Sequence, residues 1–170
     1  MSNISNFSNT SDYLPIINSV ILTDILVIML SLFGIIKSKV LREWYHKYNI
    51  SAVICDVLII VIGIIIARFA YPYIFDEFSL VKFIGLAVMI QIAHDLLFAL
   101  FFTSIPSNTN QMIDTFKDYG KEVSYKAIFA DSGMMILSCV LASYLANKSL
   151  NTNIITLISS VYLLPYLIYT

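Results

Sequence analysis

ISAVICDVLIIVIGIIIA, residues 50–67, is an eighteen-residue run with a single charged side chain, Asp56. Wound as a helix at 1.5 Å per residue it is about 27 Å long, close to the thickness of a bilayer's hydrocarbon core. It has no polar face to offer to water, so its reading decides the fold: it is a membrane span. Working outward, Ile16–Ile36, Leu80–Ile105 and Tyr125–Ala146 are runs of the same kind. Ile154–Tyr169 is only just long enough, and Pro165 near its end removes a helix hydrogen bond. The expectation is an all-α membrane protein: a bundle of five transmembrane helices, or four plus a docked C-terminal segment.

The whole composition agrees. The chain is 59% hydrophobic and 12% charged, about half the charge of an ordinary soluble domain. Its net charge of −1 argues against a nucleic-acid partner, which demands a basic patch. The lipid bilayer is the expected partner. Cys55 and Cys139 stand alone within apolar runs, with no C-x-x-C spacing, and are expected to be buried apolar thiols. The first fifteen residues, MSNISNFSNTSDYLP, have no basic segment, and the apolar run after them is longer than a signal-peptide core of roughly 7–15 residues. Residues 1–15 are therefore expected to be a polar tail, and residues 16–170 a single bundle domain.

Two connectors are amphipathic. In residues 37–49, KSKVLREWYHKYN, helical spacing puts Val40, Leu41, Trp44, Tyr45 and Tyr48 on one side. Trp44, Tyr45 and Tyr48 are expected to anchor this segment at headgroup level. In residues 110–127 the apolar stripe is Met112, Phe116, Tyr119, Val123 and Ala127. Asp114–Lys117, Asp118–Lys121 and Glu122–Lys126 are spaced as ion pairs on the other side. With five spans and the N-terminus outside, seven cations fall inside (Lys37, Lys39, Arg42, Lys47, Lys117, Lys121, Lys126) and three outside (Arg68, Lys82, Lys148). The positive-inside rule favours that orientation. Arg68 is expected to snorkel from the outer end of its span. Four N-x-S sequons, at Asn3, Asn6, Asn9 and Asn147, lie on the same predicted side.

Each of the first four spans contains one aspartate: Asp24, Asp56, Asp95 and Asp131. A carboxylate at the bilayer centre costs about 2.5–3.5 kcal/mol on insertion scales, so all four are expected to face the bundle interior. Asp56, Asp95 and Asp131 fall in the inner half, with Asp24 level or slightly outward. Gln91 is three residues before His94 and four before Asp95, which gives the third span a polar wedge. His94 and Asp95 are about 100° apart on the helix, so each is expected to find its partner on another helix. Asp24 aligns with Ser31, and Asp131 with Ser138, at seven-residue spacing. Gly34, Gly63, Gly85, Gly133, Ala142 and Ser143 are expected to let helices approach closely. Asp131 has one further reading, as the cap of a helix start at Asp-Ser-Gly.

The polar intramembrane cavity expected from these residues comprises Asp24, Asp56, Gln91, His94, Asp95 and Asp131. Three functions compete for it. Acid and histidine side chains are the usual material of proton or cation paths, or of a small-solute site. The same groups could hold Mg²⁺ or Mn²⁺ for an intramembrane hydrolase or transferase, although H-x-x-x-H, G-x-S-x-G and D-x-x-D are all absent from the sequence. Alternatively the polar groups only fix helix packing in a structural membrane or virion-envelope protein. No cofactor is called for, and a second copy of the chain is a candidate partner.

The runs REWYHKYNISAVICDVLIIVIGIIIARF (42–69), QIAHDLLFALFF (91–102), FKDYGKEV (116–123) and ADSGMMIL (130–137) resemble uncharacterised multi-pass membrane proteins of large DNA viruses of protists. The resemblance covers roughly residues 37–146. That group has no assigned activity to transfer to any residue. What the resemblance implies is a location, a viral or host-derived membrane.

Overall fold

The structure, a computed structural model, describes residues 2–123 and 125–169. Among the described residues a short 3-10 turn (Thr10–Asp12) leads into seven α-helices: α1 (Tyr13–Leu32), α2 (Lys39–Tyr48), α3 (Ile50–Ile74), α4 (Leu80–Ser104), α5 (Gln111–Val123), α6 (Tyr125–Leu145) and α7 (Leu150–Ile168). Among the described residues there is no strand. Helices α1, α3, α4, α6 and α7 are long and apolar enough to cross a membrane. The chain is thus a five-span bundle, and α2 and α5 are its two short amphipathic connectors.

The packing order is simple. α1 packs on α3 and α6, and α4 packs on both α3 and α6, which closes a ring of four helices. α7 docks outside that ring, chiefly against α1. α2 and α5 touch each other and lie across one end, called here the lid end; α2 rests on α3 and α1, and α5 on α4 and α6. The four helices of the ring are the four membrane spans that carry an aspartate.

Small residues set the tightest seam. Ser138, Cys139, Ala142 and Ser143 of α6 are buried against α1, and Ser138 Oγ donates to Thr23 Oγ1 at 3.1 Å. Gly63 of α3 sits where three helices meet: a Cβ there would come within 2.9 Å of Met135 Cε on α6 and 3.7 Å of Gln91 Oε1 on α4. The other expected close-approach glycines behave differently. Added Cβ atoms at Gly85 and Gly133 would meet nothing within 4 Å. Gly34 instead ends α1. Its φ of +71° is the left-handed conformation that glycine adopts without penalty, and Gly34 N and Ile35 N donate to the carbonyls of Ser31 (3.1 Å) and Leu30 (2.9 Å). That bond pair is a Schellman ending, and it stops the first span at Leu32, four residues short of Ile36.

The last segment is a full helix, the fifth of the spans, that continues through Pro165, which falls in its final turn. Asn18 of α1 secures it by donating to the Asn153 carbonyl at 2.8 Å and to Asn153 Oδ1 at 3.2 Å. Asn153 in turn donates to the Leu145 carbonyl at 3.0 Å, which ties α1, α6 and α7 together.

The N-terminal residues fold over the opposite end of the bundle, called here the tail end. Ile4 is fully buried, and Ser2 bonds to α6 and the turn after it through Ser143 and Asn147. The side-chain oxygens of Asn3, Asn6 and Asn9 are all occupied within their own sequons, accepting from Ser5, Ser8 and Ser11. Beneath the tail lies Arg68. It does not snorkel. It is fully buried, paired with Asp12 at 3.2 Å, bonded to the carbonyls of Asn6 and Asn9, and stacked 4.7 Å from the Tyr13 ring centroid. The tail reaches down and encloses the guanidinium, so the side chain has no need to climb to water. Of the two cysteines, Cys139 is buried as expected, but Cys55 is exposed on the outer surface of α3.

Candidate functional site

The four ring aspartates occupy similar heights. Asp24 is eight residues from the end of α1, Asp56 six from the start of α3, Asp95 nine from the end of α4 and Asp131 six from the start of α6. Each is therefore roughly 9–14 Å along its helix from the lid end. Asp24 belongs to this layer because α1 stops early at Gly34. Asp131 lies inside α6 and caps no helix start.

The sequence could not show what α2 contributes here. Trp44 and Tyr45 are buried. Rather than facing lipid as anchors, their rings turn inward to the bundle. Trp44 Nε1 donates to Asp56 Oδ2 at 3.0 Å, and Tyr45 OH donates to Asp24 Oδ1 at 3.0 Å. Asp24 and Asp56 lie in each other's electrostatic field, so two adjacent aromatics of one short helix meet two neighbouring acids. Burial first, then the fields of Asp56 and Asp24, hold the Tyr45 phenol well above its usual range, which keeps it a neutral donor. Tyr48 points elsewhere, donating to the Gln111 carbonyl of α5 at 2.7 Å.

α5 approaches the same layer from the other side. Burial raises the pKa of Tyr119, and the fields of Asp131, Asp56, Glu122 and Asp95 raise it further, in that order. One phenol therefore stands within electrostatic reach of three membrane aspartates from three different helices. Asp131 is likewise within the fields of Asp95 and Asp56. The surface helices thus bond to two of the acids, Asp56 through Trp44 and Asp24 through Tyr45, and Tyr119 lies in the field of the other two, Asp131 and Asp95.

The polar group on α4 is arranged differently from expectation. Asp95 Oδ1 accepts from Gln91 Nε2 at 2.6 Å and lies 3.3 Å from His94 Nδ1. All three residues are on one helix. The 100° between adjacent residues is bridged by the length of the two side chains, and neither His94 nor Asp95 reaches across to another helix for its bond. His94 also packs on the Phe98 ring, 4.1 Å between centroids. Asp95 Oδ2 and Asp24 Oδ2 are buried and have no hydrogen-bond partner. These orphan acceptors are costly in a low-dielectric interior unless a proton, cation or water meets them.

α5 is fixed to α2 by Glu122. Its carboxylate does not pair with Lys126; it accepts the backbone N–H groups of Lys39 and Val40, both at 2.9 Å, at the start of α2. A carboxylate there meets the positive end of the helix. The backbone bond from Val40 is the largest cause holding Glu122 below its usual range. Asp114–Lys117 (3.9 Å) and Asp118–Lys121 (2.9 Å) pair as their spacing predicts.

For metal chemistry the arrangement is too spread. Among the described residues, no three His, Cys, Asp or Glu side chains are grouped to hold an ion. Neither of the two most defined surface grooves is lined by any of the four aspartates.

Fold and site together define the class: a five-span integral membrane protein with a layer of intramembrane acids under a two-helix lid. Comparison with protein-family models, curated proteins and solved structures finds no match to this chain.

Proposed function

We propose that the protein binds and exchanges protons at the aspartate layer, through the lid-end face of the membrane. The observation that carries this reading is the environment of Tyr119, which lies in the fields of Asp131, Asp56 and Asp95 at once. Carboxylates within one another's field in a poorly polarisable interior compete for positive charge, and a proton is the natural occupant. Among the described residues the Oδ2 atoms of Asp24 and Asp95 have no hydrogen-bond partner and offer acceptors, and the His94 ring lies beside Asp95, 3.3 Å from Nδ1 to Oδ1. The cation-rich connectors make the lid end the inner face under the positive-inside rule. The viral resemblance puts this activity in a viral or host-derived membrane.

A second reading has its own support. Asp24 and Asp56 each receive a hydrogen bond from α2, as they would if the acids served only to latch the lid in a structural membrane or envelope protein. Vesicles reconstituted with the protein and loaded with a pH-sensitive dye separate the two. Exchange predicts proton entry well above that of empty vesicles, reduced at least about tenfold in Asp95→Asn, a rise of roughly 1.4 kcal/mol in the barrier. Equal rates in wild type, variant and empty vesicles would leave the structural reading.

A further inference from the structure

A groove of about 330 Å³ opens at the lid end between α1, α2 and α7; Tyr45 lines it, but none of the four ring aspartates does. Ile28 and Leu32 of α1 and Leu167 and Ile168 of α7 form an apolar wall, and Arg42 and His46 of α2 stand over it. We propose that this groove binds an anionic phospholipid of the adjoining leaflet, with its phosphate on Arg42 and His46 and one acyl chain along α1 and α7.

Three observations converge on that ligand. First, Arg42 and His46 are four residues apart, so they share one face of α2, and among the described residues neither side chain makes a hydrogen bond or ion pair. Glu43, the one acid in the lining, is partly neutralised by Lys39 at 3.7 Å. The polar mouth is therefore positive, and a guanidinium matches a phosphate with two parallel bonds.

Second, Ser31 lines the groove, is almost wholly buried, and its hydroxyl has no partner. Ser19, Thr23, Thr103, Ser104, Thr115 and Thr156 donate back to a carbonyl of their own helix; the buried Ser31 hydroxyl makes no such bond, which leaves its donor for something outside the helix. Third, the groove lies where α1 and α7 both end, at the depth of the headgroups, and its wall continues into the apolar surfaces of two spans. A soluble phosphate would gain nothing from Ile28, Leu32, Leu167 and Ile168, whereas an acyl chain would.

The test uses the full chain purified in a mild detergent and stripped of lipid, with its thermal midpoint measured against added dioleoyl phosphatidic acid, dioleoyl phosphatidylcholine or inorganic phosphate. Phosphatidic acid should raise the midpoint by several degrees, because a ligand that binds only the folded state stabilises it. Phosphatidylcholine and inorganic phosphate should raise it much less. The exposed double variant Arg42→Gln/His46→Gln should keep the lipid-free midpoint and lose about half or more of the rise, and Ser31→Ala should lose part of it. An equal rise in wild type and double variant, no rise with phosphatidic acid, or an equal rise with inorganic phosphate would each overturn the proposal.

Discussion

Trp44 on the short helix α2 donates its indole N–H to the Asp56 carboxylate on the membrane helix α3 at 3.0 Å. The same ring packs 4.6 Å from Phe116 of α5, centroid to centroid. One side chain thus joins both lid helices to the acid layer, and it is the only tryptophan in the chain.

That uniqueness makes the lid directly observable. Asp56→Leu removes the acceptor, and Trp44 emission should shift to the red as the indole seeks water. Trp44→Phe should lower stability by about 1.5–3 kcal/mol, the range for a hydrogen bond to a charged partner. Asp56→Asn keeps an acceptor oxygen and should cost less than either. The unfolding midpoint in detergent and the emission maximum check all three.

Arg68 and Asp12 form a buried pair beneath the N-terminal residues. Asp12→Asn leaves the guanidinium uncompensated and should cost about 3–5 kcal/mol, whereas Asp12→Leu combined with Arg68→Leu should cost clearly less than either single change. Limited proteolysis gives a second reading. In Asp12→Asn, cleavage within residues 2–12 should become faster, because the tail loses the group that holds it down.

Glu122 predicts a pH dependence. Its proton affinity is lowered in the folded state by the N–H groups of Val40 and Lys39. A depressed carboxyl pKa contributes stability above the unfolded value of about 4.5, and that contribution is lost as the pH falls through the lower folded value. The contact between α2 and α5 should therefore loosen at acidic pH. Glu122→Gln should show the loosened state already at neutral pH and respond less to acid across that window. Hydrogen exchange of the Lys39 and Val40 amides is the direct measurement.

Gly63 and Gly133 should answer alike substitutions differently. Alanine at Gly133 meets open space and should stabilise α6 by up to about 1 kcal/mol through helix propensity. Alanine at Gly63 pushes on Met135, so the same gain is offset and the net change should be near zero. Leucine at Gly63 should cost about 1–3 kcal/mol or more by overpacking.

The contrast between what sequence and structure disclose is instructive at particular residues. Apolar length marked the first four spans, because lipid imposes a length rule that soluble folds lack; the last run is only just long enough, and length alone leaves it open between a span and a docked segment. The aspartates are expected to face inward, since a charge in oil has few alternatives. Trp44 and Tyr45 were readable as one apolar face of α2. Helical spacing cannot say whether such a face meets lipid or the bundle, so their bonds to Asp56 and Asp24 were hidden. Arg68 was misread because snorkelling assumes open water at a span's end, and the tail residues fill that place. The local grouping of Gln91, His94 and Asp95 was hidden because angular spacing describes Cβ directions and not the reach of long side chains. Asn18 and Asn153 did leave a signal, each being an amide within or beside an apolar run.

The central claim is that the four ring aspartates form one electrostatically coupled layer. Infrared difference spectroscopy of the protein in nanodiscs, titrated across pH, follows the carboxyl bands of individual acids once each is assigned by an Asp→Asn variant. In Asp131→Asn the titrations of both Asp95 and Asp56 should move, because the three share one field. If every remaining carboxyl band titrates in Asp131→Asn as it does in wild type, the acids are independent and the account is contradicted.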